Sequence, residues 1–185
     1  MNSKNLQSLK IAIFTLIVSG SIWIISLSAS AQASIIEVAG IYSASLSGNT
    51  EVPSVNTQAS GKATFELSAQ AAALGGAAAA ASSDDQMFYE INLQNIDEIT
   101  AAHIHMGGSD ENGPVIVTLF DTDTPTSEIN GELVSATITA QNLEGPLEGK
   151  QISNLVDLFD TGGAYVNVHT QTNPDGEIRG TIQEG

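Results

Sequence analysis

From residue 37 onward the chain is a succession of short runs rich in apolar and β-branched residues, each cut by Gly, Asn, Pro or Asp. Runs this short cannot build long helices, and their spacing predicts an all-β sandwich or barrel. The clearest case is 62–67, where Ala63, Phe65 and Leu67 alternate with Lys62, Thr64 and Glu66. Alternate side chains of a strand point to opposite faces, so this pattern describes a strand with one face buried. Further strands are predicted at 37–46, 87–93, 99–105, 115–120, 133–139, 164–169 and 177–182. The exception is 152–159, where Ile152, Leu155, Val156 and Phe159 follow helical spacing and suggest one or two turns. The expected fold is a single antiparallel, Greek-key-like β-sandwich of about seven to eight strands. Residues 69–86, rich in Ala and interrupted by Gly75-Gly76, read as a surface insertion that lengthens a hairpin.

The first 33 residues follow a different logic. Lys4 and Lys10 precede an apolar stretch from residue 11 to 27, and Ala29-Ser30-Ala31 and Ala31-Gln32-Ala33 follow it. Basic start, apolar middle and small-x-small end are the layout of a secretory signal peptide. A retained membrane anchor is the rival reading, and Gly20 with the Ala-x-Ala pairs favours cleavage. Segment 1–33 is therefore expected to be a signal peptide, and 34–185 the domain that it exports to a secreted or periplasmic location.

Beyond residue 33 stand three basic residues against 21 acidic ones, a formal charge of −18. A surface this negative repels phosphate backbones and anionic lipid, so neither nucleic acid nor, once the signal is removed, a membrane is an expected partner. The absence of cysteine removes disulfides, thiol catalysis, iron–sulfur clusters and cysteine zinc sites.

What remains for chemistry is a set of three histidines. His103 and His105 form a His-x-His on a predicted strand, which places both imidazoles on one face. His169 ends another strand, just before Asn173-Pro174-Asp175-Gly176, which reads as a turn. If the two strands are neighbours, His103, His105 and His169 converge into a site with an open fourth position, suited to zinc or copper. Glu51, Asp175 and Glu177 are the candidate carboxylates for that fourth position. The alternative is that the histidines are structural, hydrogen-bonded to carbonyl groups. The loop 107–114 follows the His pair, and its Asn112-Gly113 reads as a tight turn requiring positive φ. Glu177 and Arg179 fall on one strand face, where a structural salt bridge is expected. No Gly-x-Ser-x-Gly elbow and no phosphate-binding glycine loop is present. Asp121-Thr122-Asp123 lacks the glycine and distal glutamate of a calcium loop and reads as a solvated turn.

Several blocks, in order, carry a family resemblance: Asn49-Thr50-Glu51-Val52-Pro53, Ala59-Ser60-Gly61-Lys62-Ala63, Ala101-Ala102-His103-Ile104-His105-Met106-Gly107, Asn112-Gly113-Pro114-Val115, Tyr165-Val166-Asn167-Val168-His169-Thr170 and Asn173-Pro174-Asp175-Gly176-Glu177-Ile178-Arg179-Gly180. Together they resemble the CHRD domain, with Thr50 and the alanine-rich stretch as departures. The resemblance implies an extracellular β-sandwich domain, and the expected partner is an unidentified extracellular ligand or protein. A fainter similarity to copper/zinc superoxide dismutase lies in the His-x-His strand and its glycine-rich loop, without that family's cysteines or bridging-histidine segment. Two function classes follow: a binding module, with or without a metal, which the sequence favours, and a metal-dependent redox or hydrolytic enzyme.

Overall fold

The computed structural model describes residues 36–70 and 85–185. The expected signal segment lies outside these residues, as does most of the alanine-rich insertion. The described chain forms β1 (Ile36–Ser47), β2 (Ser60–Gln70), β3 (Gln86–Ile96), β4 (Ile99–Met106), β5 (Val115–Asp121), β6 (Ile129–Ile138), α1 (Ile152–Asp160), β7 (Ala164–Thr170), β8 (Ile178–Thr181) and β9 (Gln183–Glu184). Every strand expected from the alternation is present, and the fold is all-β with one short helix.

The strands run in the order β5-β4-β7-β8-β1-β2-β3-β6, with β9 paired to β1. All the pairings are antiparallel. The contacts β4–β7, β8–β1 and β3–β6 join strands distant in sequence and give the topology its Greek-key character. The sheet curls until its ends nearly meet: Tyr89 on β3 donates its hydroxyl to the Leu119 carbonyl of β5 at 2.6 Å. Inside the curl lie Phe65, Met87, Ile91, Leu93, Ile104, Val166 and Val168, all fully buried. Tyr89 is itself buried. Tyr89→Phe would leave the Leu119 carbonyl without its partner and should lower unfolding stability by about 1–2 kcal/mol, read as a shift of the urea midpoint at constant slope.

Helix α1 forms because Ile152, Leu155 and Phe159 share one face, and all three are buried. Asn154 Oδ1 caps its start by accepting the Gln151 amide at 3.2 Å. Phe159 packs on Tyr42 and Phe65, with ring centroids 5.4 and 5.3 Å away.

Strands β4 and β7 position everything that follows. Their core-facing residues are Ala102, Ile104, Ala164, Val166 and Val168. The opposite face of such a strand ordinarily meets water, yet Tyr165 and Asn167 on that face are 1% and 3% exposed. The loops 107–114 and 171–177 fold over it, so β7 is buried on both sides. One layer of the molecule is therefore apolar and the other polar, with the sheet between.

Candidate metal centre

The polar layer is a small grid. His105 is the cross-strand partner of Tyr165, His103 of Asn167, and Ala101 of His169; Arg179 on β8 faces Asn167 from the other side. His103, His105 and His169 thus come together around the position of Asn167. The β4–β5 ladder slips between Ala102 and His103 and again between Ile104 and His105. Bulges of this kind re-aim side chains and recur beside functional sites.

One nitrogen from each imidazole lies within 4.8 Å of the other two. Two nitrogens bound to one zinc or copper ion at about 2 Å stand at most about 4 Å apart, so occupancy requires only a small inward rotation of the rings. Each ring also carries one buried nitrogen without a hydrogen-bond partner: His103 Nδ1, His105 Nε2 and His169 Nε2. A buried polar atom with no partner is costly. Three of them aimed at one space are consistent with a shared occupant.

The remaining nitrogens of two rings are fixed. His105 Nδ1 meets the Gly113 carbonyl at 2.8 Å and His169 Nδ1 the Pro174 carbonyl at 3.0 Å. A carbonyl accepts only, so each Nδ1 carries the proton and each Nε2 presents a lone pair to the cluster. Backbone carbonyls hold metal-binding histidines in the correct tautomer in just this way. The His105 ring also lies parallel to Tyr165, at 7° and 5.0 Å between centroids. Burial pushes the pKa of all three below the ordinary imidazole value, that of His103 to about 4 with further lowering from His169 and His105. The rings are therefore neutral at pH 7, as ligands must be.

The second support is Arg179, 1% exposed. Its guanidinium donates to Asn112 Oδ1 at 2.9 Å and to the carbonyls of Gly108 and Glu111 at 2.6 and 2.7 Å, while its carbon lies 3.4 Å above the Tyr165 ring centroid. The same loop supplies the Gly113 carbonyl, so Arg179 secures the carbonyl that orients His105.

Three expectations need correction. Arg179 is not paired with Glu177: that carboxylate accepts hydrogen bonds from Thr57, Thr170 and Asn173, because Glu177 precedes β8 and turns toward the neighbouring loops. Gly113 has no positive φ; the loop takes that conformation at Gly107, φ 154°. Gly113 is required for space, since a Cβ there would sit 1.6 Å from the Met106 carbonyl oxygen. And among the described residues none of Glu51, Asp175 and Glu177 belongs to the three-histidine group. Sequence reasoning did not identify Asn167, Tyr165 or Arg179 as parts of this layer. The alternation Tyr165-Val166-Asn167-Val168-His169 is the signal that placed the first two on the histidine face.

The model of the CHRD domain family matches residues 42–182. No curated protein and no solved structure matches the chain significantly. The matched span includes all three histidines, both loops that cover them and Arg179, and on that match the chain belongs to the CHRD domain family.

Proposed function

We propose that residues 34–185 are an exported CHRD-domain binding module whose His103, His105 and His169 take a divalent transition metal, copper or zinc. The observation that carries this reading is the convergence of three unpartnered, buried imidazole nitrogens, two of them on rings whose other nitrogen is fixed by a backbone carbonyl. Two Nε2 atoms and one Nδ1 would hold the ion, leaving a coordination position open for an external ligand. Bound, the ion would supply Lewis acidity or, if copper, a redox centre at that position. The chain's own part is to keep the imidazoles neutral, aligned and screened from competing protons. The acidic surface raises the local concentration of cations, an effect that salt attenuates.

Export is supported by the signal-like order of residues 1–33. The physiological partner would be an extracellular ligand or protein that reaches the open position. Titration calorimetry with zinc and with copper(II) tests the site. His103→Ala removes one of three ligands and should weaken affinity at least tenfold, since second-shell changes alone cost about 10–100-fold. Equal affinity in wild type and His103→Ala would make the histidines structural. Metal analysis of the purified protein also bears on the metalloenzyme reading, because a domain that never takes up metal excludes it.

A further inference from the structure

Two further buried oxygens in the polar layer lack partners: Glu51 Oε1 and Asn167 Oδ1. A Cβ built on Gly176 would stand 2.7 Å from the first, 2.4 Å from the second and 2.5 Å from Asn167 Nδ2, so both oxygens border the same space. Glu51 is 6% and Asn167 3% exposed. Neither an ionised carboxylate nor an amide oxygen can donate, and two buried acceptors held together repel each other. A proton on Glu51 resolves the conflict, because the carboxyl then donates to Asn167 Oδ1.

Resting on the three-histidine reading, we propose that Glu51 and Asn167 form a proton-holding pair beside the metal centre: neutral Glu51 donates Oε1–H to Asn167 Oδ1 while the histidines are empty, and the proton leaves to solvent when a divalent cation binds. The step balances as one carboxylic acid and one cation giving a carboxylate beside the bound cation and one released proton. The placement supports the coupling. Asn167 is the cross-strand partner of His103 and precedes His169 by two residues on the same face. The three imidazoles are neutral, so the ligand set itself offers no charge to offset a divalent ion. Arg179, facing Asn167 from β8, adds a positive charge to the layer and hydrogen-bonds only to neutral acceptors. The other titratable groups on the surrounding elements are Asp175, Glu177 and Glu111 in the covering loops, and Asp121 and Glu144 beside β5; Asp175 acts on His169 and the last two on His103, but Asp121 and Asp175 are exposed and Glu144 accepts the Thr118 hydroxyl. Glu177 is occupied by three hydrogen bonds, and Glu111 is exposed. Glu51 is thus the buried carboxyl that borders the same space as Asn167 and can switch charge. Burial raises its pKa from 4.5 to about 7 against the opposing pull of Arg179 and a Val52 backbone hydrogen bond, so a nearby cation need shift it only modestly to release the proton near neutrality.

Glu51→Gln tests both halves, because a glutamine amide still donates to Asn167 Oδ1 yet has no proton to lose. In metal-free protein at pH 6, difference infrared spectra should show a protonated-carboxyl band in wild type that Glu51→Gln lacks. Absence of that band overturns the shared proton, whatever the histidines do. Zinc calorimetry in buffers of different ionisation enthalpy reads the coupling. Wild type should release close to one proton more than Glu51→Gln near pH 6.5, and its zinc affinity should rise by up to about tenfold per pH unit from 6 to 7, then level off. Equal proton release in the two proteins overturns the coupling. Failure of zinc to bind either protein also overturns it, together with the metal-site reading, and leaves the infrared result to decide the proton pair alone.

Discussion

Arg179→Ala should lower the unfolding free energy by about 3 kcal/mol, more than any exposed substitution in the chain. The guanidinium holds Gly108 O, Glu111 O and Asn112 Oδ1 at once and covers the face of Tyr165. Each hydrogen bond to a charged donor is worth about 1.5–3 kcal/mol, and the stacked cation adds about 1–2. These terms do not add in full, because Glu111 and Asn112 are exposed and can recover water. The alanine also opens a void over Tyr165. Arg179→Lys should recover only part of the loss, since one ammonium cannot reproduce a planar fork that reaches three acceptors. Chemical denaturation of the two variants measures this, and a loss under about 1 kcal/mol for Arg179→Ala would mean that the loop holds itself. Zinc affinity should fall in parallel, because the loop that Arg179 secures carries the carbonyl bonded to His105.

A larger effect per atom is expected from Gly113→Ala. The added methyl would lie 1.6 Å from the Met106 oxygen and 2.8 Å from its carbonyl carbon, both backbone atoms. No rotamer change relieves a backbone clash, so the loop must lift from the end of β4. Lifting it breaks the Met106 amide to Pro114 carbonyl bond of 3.0 Å and the His105–Gly113 contact of 2.8 Å. A destabilisation of about 3 kcal/mol or more follows from overpacking combined with lost hydrogen bonds. Gly108→Ala, five residues earlier in the same loop, is the control: nothing lies within 4 Å of its Cβ position, and its stability should change by no more than about 0.5 kcal/mol. Melting both variants beside wild type separates a steric requirement at one position from a general need for flexibility. Similar losses at the two sites would contradict the packing described here.

The strands, the helix and the pairing of His103 with His105 are legible in the residue pattern alone. These depend on contacts between near neighbours, and hydrophobic periodicity records them directly: Ala63, Phe65 and Leu67 turn to the core while Glu66 meets water, and Ile152, Leu155 and Phe159 share one helix face. The tight turn at Asn173 is legible for the same reason, with the Gly176 amide closing on the Asn173 carbonyl at 3.1 Å. Alternation also fixes which residues share a face, but it does not say what covers that face. Tertiary structure alone decided that β7 lies beside β4, so that His169 joins a pair more than sixty residues earlier in the chain. It decided that the loops close over the polar face, burying Asn167, Tyr165 and Arg179. It also sent Glu177 to Thr57, Thr170 and Asn173 rather than to Arg179. The physical reason is one of range. Strand periodicity is written residue by residue, whereas the neutrality of the histidines and the proton proposed for Glu51 depend on which distant backbone excludes water from them.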